Sequence, residues 1–413
     1  MPSNLSINAD RLHNRLAALG EVGATGDGGV CRVALTDADR DGRDLVVSWM
    51  RDLGLRVEID GIGNVTGTWP ADSTAAPVMT GSHIDTVRTG GRYDGNFGVL
   101  AGLEIIETVI EAGITTDKPL AVAFFTDEEG ARFAPDMLGS LVYVGGLPLE
   151  VALDTVAIDG AVLGDDLERI GYRGPLPCPA RLPAAFVEAH VEQGPVLEAE
   201  GFTIGAVTGV QGILWRELTI SGQSNHAGTT PMSLRHDAGY VAASLATTVR
   251  EIARDIGGAQ VGTVGRLDLQ PNLVNVVAAK ATMTVDLRNT DAALLAEAEH
   301  RLDEAIKILV ASEGVEITSR ELARFAPVDF DPAVIDLVEQ AATARSLSVK
   351  RLPSGAGHDA QMLARVCPTA MVFVPSVGGI SHNPAEHTSP ADLEAGANVL
   401  LDVMLTLASE PSS

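Results

Sequence analysis

Residues 81–99 read GSHIDTVRTGGRYDGNFGV and combine two different signals. The stretch follows a short apolar run at residues 77–80, which is typical of a buried β-strand. A histidine and two carboxylates, His83, Asp85 and Asp94, then come on a glycine-rich segment. Polar residues of these types directly after a buried strand indicate a binding site at the edge of a sheet.

Apolar strands and helical segments alternate on both sides of this stretch. Residues 96–113 predict a helix that ends at Gly113, and KPLAVAFFT (118–126) predicts a buried strand. AAFVEAHVEQG (184–194) is a further strand whose polar residues gather at its end. This alternation predicts an α/β sheet with helices on both sides.

The pattern changes near residue 210. ILWRELTISGQ (213–223) alternates between apolar and polar residues, as a half-exposed strand does. The order strand, helix, strand, strand, helix, strand that follows is typical of a ferredoxin-like α+β unit. We therefore predict a first part of the α/β domain at 1–210, an inserted domain at 211–325 and a second part at 326–413.

Composition narrows the possible functions. The chain has 413 residues, more than one typical domain, and 46% of them are hydrophobic and 20% charged, as in ordinary globular proteins. The formal net charge of −26 argues against nucleic acid or an anionic membrane as a partner, because both require a basic surface.

The cysteines and the amino terminus carry little signal. Cys31, Cys178 and Cys367 lie far apart without CxxC spacing, so we predict neither a thiolate zinc site nor a disulfide framework. The first residues lack the apolar core of a signal peptide, and no run of about 18 apolar residues occurs. From these features we expect a cytoplasmic protein.

Polar clusters follow five of the predicted strands. A single histidine in a loop is most often a structural residue, and an acidic triplet is usually a solvated turn. Their shared position after apolar strands favours one common site instead. The clusters are His83 with Asp85 and Asp94, Asp127 with Glu128 and Glu129, His190 with Glu192 and Gln193, His358 with Asp359, and His382.

These residue types point to divalent metal ions. Imidazole nitrogens and carboxylate oxygens suit zinc, manganese or cobalt. One catalytic ion usually takes three protein ligands, whereas two ions that share a bridging carboxylate would use the larger set. Of the adjacent Glu128 and Glu129, one can bind metal while the other acts as a general base. Asp85 is expected to hold the second ring nitrogen of His83.

The stretches that carry these residues resemble the dinuclear-metal amidohydrolases of the aminoacylase and carboxypeptidase clan. The resemblance is closest to the hydantoinase/carbamoylase family, which includes N-carbamoyl-L-amino-acid hydrolases, β-ureidopropionases and allantoate amidohydrolases. It runs from residue 81 to residue 390. The matching stretches are GSHIDTVRTGGRYDGNFGVLAG, FTDEEGARF, EAHVEQGPVLE, NHAGTTPM, SGAGHDAQM and GISHNPAEHTSP.

The resemblance implies two divalent ions (Zn, Mn, Co or Ni), their ligands and a general base. The base would be Glu128, and Asp85 would orient His83. His83 and His190 would each bind one side of the metal pair. The full ligand set would be His83, Asp94, Glu129, His190 and His382, with Asp94 as the bridge and with Glu129 and His382 completing the second ion.

The resemblance also implies a mixed-sheet catalytic domain with an inserted lid and dimerisation domain. In the resulting homodimer, His226 would reach the partner's active site and stabilise the oxyanion. Arg288 would bind the substrate carboxylate, which its planar guanidinium suits, although an arginine at a strand end is as often a surface salt-bridge partner. The other implied substrate contacts are Gln193, Asn275, Gly357 and His358.

The implied reaction is hydrolysis of the carbamoyl C–N bond of N-carbamoyl-L-amino acids to amino acid, CO2 and ammonia. Allantoate and β-ureido acids are alternatives, because each also carries a carboxylate. A peptidase or aminoacylase fits less well, since DEEGARF and EAHVEQG resemble the ureido-hydrolysing branch. A non-catalytic binding relative would be expected to lose the base or some ligands, and this sequence keeps all of them.

Overall fold

The chain divides into two units. Unit 1 contains the described residues up to Gly209 and from Asp329 onward, and unit 2 contains Val210–Val328. The computed structural model describes residues 5–178 and 181–409.

Strands and helices are numbered here along the chain. The strands are β1 (Arg56–Ile59), β2 (Val65–Trp69), β3 (Val78–His83), β4 (Leu120–Phe125), β5 (Ala185–Val191), β6 (Ile204–Val210), β7 (Gly212–Ser221), β8 (Val261–Thr263), β9 (Leu267–Gln270), β10 (Lys280–Asn289), β11 (Glu316–Phe325), β12 (Val328–Asp329), β13 (Val349–Ser354) and β14 (Thr369–Val374). The α-helices are α1 (Ala9–Glu21), α2 (Asp37–Asp52), α3 (Asn96–Glu111), α4 (Leu138–Tyr143), α5 (Leu149–Leu153), α6 (Leu163–Ile170), α7 (Val196–Glu200), α8 (Ala238–Ile256), α9 (Ala292–Glu313), α10 (Pro332–Ala344), α11 (Asp359–Leu363) and α12 (Pro390–Ala408).

Unit 1 is built on a mixed sheet. Its strands follow the order β1-β2-β4-β3-β5-β14-β6-β12, with β13 paired to β6. The central strands β4, β3, β5 and β14 run parallel, whereas β2 and β6 are antiparallel to their neighbours β4 and β14. Every residue of the four central strands is buried, because α3, α11 and α12 pack against them. The expected mixed α/β sheet is therefore confirmed.

Strand β3 is longer than the sequence indicated. It continues through Gly81 and Ser82 to His83, and it pairs with β4 as far as Phe125. His83 is therefore the last residue of a buried strand rather than part of the following loop. The ladder hydrogen bonds fix its backbone more tightly than a loop would.

Unit 2 contains an antiparallel sheet in the order β11-β7-β10-β8, with β9 also paired to β10. Side chains of β10 alternate between buried and more exposed positions, and the buried ones pack with α8 and α9 into one core. The run QVGTVGRLDL (260–269), one of the segments in the predicted strand and helix order, is divided between β8 and β9. The strand and helix order is the ferredoxin-like order predicted above.

No helix in the described ranges is both long enough and apolar enough to cross a membrane.

Candidate metal centre

A cleft of about 400 Å³ opens where the parallel strands of unit 1 end. The side chains that line it come from the ends of β3 and β5 and from the segments that follow β4, β13 and β14. All five metal ligands expected from the sequence are among them. The cleft is lined by His83, Asp94, Glu128, Glu129, Asp136, His190, Gln193, Ala356, Gly357, His358 and His382.

Two groups of side chains in this cleft have ligand atoms that lie within 4.8 Å of one another. One group is His83, Asp94 and His190, and the other is Asp94, Glu129 and His382. Asp94 belongs to both groups, which is the position of a bridging carboxylate. His83 and His190, expected on opposite sides of the pair, fall in the same group. They do so because β3 and β5 are neighbours, and their two rings stack with centroids 5.9 Å apart.

Backbone carbonyls determine which nitrogen of each buried histidine faces Asp94. Nδ1 of His83 lies 2.9 Å from the carbonyl oxygen of Asp85. Nδ1 of His190 lies 2.8 Å from the carbonyl oxygen of Val191. A carbonyl oxygen only accepts, so each Nδ1 carries a hydrogen and the neutral ring keeps its lone pair on Nε2. The Nε2 atoms lie 3.5 Å and 3.2 Å from the Asp94 carboxylate. Their lone pairs are therefore available for a metal ion that Asp94 would also bind.

The carboxylates of the cleft create a strongly negative site. Burial lowers the pKa of His83, but the charges of Glu128 and Asp94 outweigh it and hold that pKa well above its usual value. Burial acts to raise the pKa of Asp94, but the hydrogen bonds that His190 and His83 donate when protonated hold it well below its usual range. A divalent cation would be attracted to such a cluster.

Glu128 has the surroundings of a general base. It follows β4, is 7% exposed, and its Oε2 lies 3.4 Å from Nε2 of His83. Burial raises its pKa well above the usual value, and the nearby Asp359 adds to the rise while His83 opposes it. Its neighbour Glu129 turns the other way, with Oε2 at 3.2 Å from Nε2 of His382. The two adjacent glutamates therefore occupy different places in the site.

Asp85 orients His83 in a way that differs from the sequence-based expectation. Its nearest carboxylate oxygen is 3.9 Å from Nδ1 of His83, and the hydrogen bond comes from the Asp85 backbone carbonyl instead. The carboxylate accepts the backbone N–H groups of Glu128 and Glu129, each at 3.3 Å. Those buried amides need an acceptor, and the Asp85 carboxylate supplies it. Asp85 therefore fixes both His83 and the turn that carries the base.

Asp94 is held by three other side chains. Gln193 Nε2 donates to its Oδ2 at 2.8 Å, and Ser381 Oγ donates to the same oxygen at 3.0 Å. Glu386 Oε1 accepts the backbone N–H groups of Tyr93 and Asp94 at 2.9 Å and 3.1 Å. The expected substrate residue Gln193 thus also holds the candidate ligand Asp94 in place. The sequence did not indicate Ser381 or Glu386.

Glu386 is a buried carboxylate that joins two ligand-bearing loops. Burial raises its pKa to about 7, and the charge of Asp94 adds to the rise. A side chain at Gly91 would place its Cβ only 2.3 Å from the Glu386 carboxylate, so the glycine makes room for it. The one sequence signal for Glu386 is its place four residues after His382.

Gly95, another glycine of residues 81–99, allows the backbone to approach two histidines closely. Its φ is +64°, and a Cβ there would lie 2.4 Å from the ring of His83. Its N–H donates to Nε2 of His190 at 3.1 Å. Only glycine gives the backbone this close approach to both histidines.

His382 completes the second group from a more open position. Half of its side chain is exposed, and its φ of +53° is uncommon for a residue with a Cβ. The hydrogen bond to Glu129 raises its pKa to about 9.

His358 lies on the other wall of the cleft, next to Gly357. Its Nε2 is 2.9 Å from Ser354 Oγ, and its ring meets that of His190 edge-on at 4.6 Å. Burial lowers its pKa well below the usual value. Glu188, His190 and His358 form a third group with ligand atoms within 4.8 Å, but Ser354 already engages Nε2 of His358. The two groups that share Asp94 therefore fit a metal pair better.

Unit 2 carries the other expected residues. His226 and Asn275 lie on two exposed segments that pair with each other. Ala227 N donates to the carbonyl of Asn275, and Val277 N to that of Asn225, both at 2.9 Å. The structure thus brings His226 and Asn275 together within unit 2.

Arg288, near the end of β10, forms a salt bridge in this structure. Its Nε and Nη2 donate to the carboxylate of Asp286 at 2.9–3.1 Å, and its guanidinium lies 5.6 Å from the ring centroid of Trp215. This is the alternative left open by the sequence. Binding of a substrate carboxylate by Arg288 stays a prediction.

The remaining histidines lie outside the walls of the cleft. His236 Nδ1 bonds to the carbonyl of Glu313 at 2.9 Å, and the His387 ring packs edge-on against Tyr93 at 6.1 Å. His13 and His300 likewise do not line the cleft.

The donor set fits a pair of divalent metal ions. Its two groups combine imidazole nitrogens with carboxylate oxygens, and neither group contains a cysteine. Zinc, manganese, cobalt and nickel all accept such ligands.

A cleft of this kind at the edge of a mixed sheet, with an inserted α+β unit, defines a metal-dependent hydrolase. The chain belongs to peptidase family M20/M25/M40, whose profile matches residues 79–406. The resemblance stated from the sequence is thereby confirmed.

Comparison with individual relatives indicates the branch of this family that the chain resembles. The chain is 42% identical to an N-carbamoyl-L-amino-acid amidohydrolase of Rhizobium meliloti, over 98% of each chain. It is 34% identical to a ureidoglycolate hydrolase of Arabidopsis thaliana, over 99% of this chain and 88% of that protein. A solved hydantoinase/carbamoylase family amidase from Burkholderia multivorans is 45% identical and superimposes with a TM-score of 0.96, covering 99% of this chain and 100% of that chain.

Proposed function

We propose that this protein hydrolyses the carbamoyl C–N bond of N-carbamoyl-L-amino acids and releases the amino acid, CO2 and ammonia. The observation that carries the proposal is Glu128, a buried carboxylate of raised pKa beside two ligand groups that share Asp94. The full-length similarity to an N-carbamoyl-L-amino-acid amidohydrolase supports the substrate class.

Two divalent ions are the proposed cofactors. When bound, they supply Lewis-acid activation of the attacking water and of the carbamoyl oxygen. The first would be held by His83, Asp94 and His190, and the second by Asp94, Glu129 and His382.

Glu128 moves the proton in this reaction. It takes a proton from water as the water oxygen bonds to the carbamoyl carbon, and it gives that proton to the amine nitrogen as the C–N bond breaks. Its raised pKa allows it to keep the proton between the two steps. The products are the free amino acid and carbamic acid, which decomposes to CO2 and ammonia, so one water is consumed.

Several residues would recognise the substrate in this proposal. Arg288 would exchange its salt bridge with Asp286 for the substrate carboxylate, which a guanidinium binds with two parallel hydrogen bonds. Asn275 would donate to the same end of the substrate. The residues proposed to contact the ureido end in unit 1 are Gln193, Gly357 and His358.

We further infer a homodimer in which unit 2 is the dimer contact and lid. His226 of a second copy of the chain would donate a hydrogen bond to the developing oxyanion. Mixing His226→Ala subunits with Glu128→Gln subunits should then restore partial activity, because one intact site forms in the heterodimer. Verified subunit exchange without any recovery would contradict sites built from two chains.

A second substrate class is favoured by a specific similarity. The Arabidopsis thaliana relative is a ureidoglycolate hydrolase, which points to the same bond cleavage in a different ureido acid. The two candidates differ in the group on the carbon that carries the ureido nitrogen.

A substrate panel tests the proposal. Protein reconstituted separately with Zn, Mn, Co and Ni is assayed for ammonia release from N-carbamoyl-L- and D-amino acids, carbamoyl-β-alanine, allantoate and ureidoglycolate. N-acetyl-L-amino acids and dipeptides, which release no ammonia, are followed by amine release. The highest kcat/KM is expected for an N-carbamoyl-L-amino acid, and a clear preference for ureidoglycolate, an acetyl substrate or a peptide would replace the proposed substrate.

The base assignment has its own variant. Glu128→Gln should bind both ions and lose nearly all turnover, whereas Glu394→Gln, a matched change at an exposed position of α12, should keep it. If Glu128→Gln retained substantial turnover, another residue would have to be the base.

A further inference from the structure

The ring of His226 is bonded to its own turn. Nδ1 accepts the backbone N–H groups of Gly228 at 3.1 Å and Thr229 at 3.3 Å. A nitrogen that accepts two hydrogen bonds carries no hydrogen, so the neutral ring has its hydrogen on Nε2. His226 is exposed, and the ring offers its Nε2–H outside the turn.

Arg235 closes the same turn through its carbonyl groups. Nη2 of Arg235 donates to the carbonyl of Ala227 at 2.5 Å, and Nε donates to that of Thr230 at 3.1 Å. Thr230 in turn donates to the carbonyl of His226 with its N–H at 3.2 Å and its hydroxyl at 2.9 Å. One guanidinium therefore holds both ends of the segment whose amides bond to the ring.

In the described ranges, the guanidinium of Arg235 is bonded only to the carbonyl groups of this turn. It is half-buried, and among the described residues its hydrogen bonds go to carbonyl oxygens rather than to a carboxylate. Partial removal of this guanidinium from water lowers the stability of the fold, whereas a fully exposed arginine has no such cost. The position of Arg235 in the turn therefore needs an explanation.

The backbone of Arg235 is itself anchored to the core of unit 2. The next residue, His236, bonds through Nδ1 to the carbonyl of Glu313, and its own carbonyl accepts the N–H of Gln223, both at 2.9 Å. Asp237 then caps α8 by accepting two N–H groups of the first turn. The guanidinium thus ties an exposed turn to a rigid part of the fold.

We propose that Arg235 is a positioning residue that fixes both the place and the tautomer of His226, so that Nε2–H of His226 is held ready as a hydrogen-bond donor. The inference rests on the proposed role of His226 at the oxyanion. Arg235 itself contacts neither substrate nor metal in this scheme and acts only through the turn.

The chemistry of the guanidinium makes arginine necessary at this position. Its Nε and Nη2 reach two carbonyls that lie three positions apart in the turn, and the planar group holds both bonds at a fixed angle. The single ammonium of lysine keeps the charge but does not reproduce the fork. Arg235→Lys should therefore give a partial effect, and Arg235→Met, which keeps most of the apolar stem, a larger one.

The test is a double-mutant cycle on kcat and KM. Loss of one oxyanion donor costs about 100- to 1000-fold in kcat, so we expect that order for His226→Ala. Arg235→Met should lower kcat about tenfold or more and leave KM within about threefold, because the loss falls in the transition state. In the His226→Ala background, Arg235→Met should cause almost no further loss.

Two measurements separate positioning from a general structural role. Nitrogen-15 NMR of the imidazole should show the Nε2–H tautomer of His226 in the native protein and a mixture in Arg235→Met. Metal content and Tm should stay near those of Arg250→Met, a matched control on the exposed side of α8.

Three outcomes are decisive. An equal loss from Arg235→Met with and without the His226 side chain would overturn the proposal, and so would an unchanged tautomer together with unchanged kcat. Full activity of His226→Ala would instead overturn the proposed oxyanion role, and the tautomer spectrum would still decide whether Arg235 positions the ring.

Discussion

Replacing Glu386 with leucine should weaken metal binding even though Glu386 is not a predicted ligand. Its Oε1 accepts the amides of Tyr93 and Asp94 at 2.9 Å and 3.1 Å, and its Oε2 lies 3.2 Å from Ser381 Oγ. Leucine has a similar size but accepts no hydrogen bond. The loop that places Asp94 between the two ligand groups would then lose its fixed position.

The size of the effect follows from those contacts. A buried donor left without a partner costs about 1–3 kcal/mol, and two amides are left in Glu386→Leu. Tyr93 is only partly buried, so some of this cost is recovered by water and about 2–4 kcal/mol remains. A cost of about 2–4 kcal/mol lowers the population of the loop conformation that binds metal by about 30- to 700-fold. The apparent affinity for the metal ions falls by the same factor. Losing a negative charge near Asp94 acts in the same direction.

Glutamine at the same position separates hydrogen bonding from charge. Gln keeps an oxygen that can accept both amides, and its amide group can donate to Ser381. Because burial raises the pKa of Glu386 to about 7, a neutral side chain already resembles its protonated form. Glu386→Gln should therefore bind the ions within about threefold of the native protein.

The assay measures metal affinity by competition with a chelator. Metal content per chain and the Tm of the metal-free protein are measured alongside it. Glu394→Leu, an exposed change on α12, is the matched control. Native affinity in Glu386→Leu, or an equal loss in Glu386→Gln and Glu386→Leu, would refute the argument that the two amide bonds position Asp94.

Three other predictions concern separate parts of the molecule. Burial raises the pKa of Asp60 from 3.8 to about 6, so its stabilising contribution is present below pH 4 and is lost as the pH rises through 6. The free energy of unfolding of the native protein should thus fall by about 2.4 kcal/mol relative to Asp60→Asn between pH 4 and pH 7, and a constant difference in urea unfolding would contradict this. Arg288→Lys should raise KM for carboxylate substrates about tenfold with kcat nearly unchanged, and an unchanged KM would exclude Arg288 from carboxylate binding. Metal removal should reduce amide protection in β3, β5 and β14 but not in β10, since the ligand groups lie in unit 1, and an equal loss in both units by hydrogen exchange would count against those ligands.

The candidate ligands could be located from the sequence because strand ends are visible there, whereas their assignment to two ions came from the family resemblance. His83 and His190 lie at the ends of two buried strands, and the parallel strands of a sheet end at one edge. Glu128 and Glu129 follow a third buried strand, which is apolar throughout. Local pattern and topology therefore agreed at these positions.

The supporting contacts could not be predicted, because they depend on backbone geometry between distant segments. Glu386 acts on the amide of a residue 292 positions away, and no spacing rule connects the two. For Asp85, the sequence identified the residue but not the atom, since either its carbonyl or its carboxylate could meet Nδ1 of His83. The choice depends on backbone torsions at the end of β3.

The inserted unit shows a different limit. Its strand and helix order was readable because β10 alternates strictly and α8 and α9 are long. The sequence indicated a turn after His226, but it did not indicate the two hydrogen bonds that Arg235 donates to this turn. An arginine five positions beyond a turn residue is indistinguishable in sequence from an ordinary surface arginine.

The position of Asp94 depends on the strand order of the sheet rather than on its own loop. The loop after β3 carries Asp94, but its carboxylate is bonded by Gln193 from the segment after β5 and by Ser381 from the segment after β14. Strands β3, β5 and β14 are consecutive and parallel, so these three segments meet at one edge. If β14 lay elsewhere in the sheet, the same loop sequence would keep its histidine and its glycines but lose the side chains that hold the Asp94 carboxylate. The arrangement proposed to bind two ions therefore depends on the topology, and residues 81–99 supply only one of its parts.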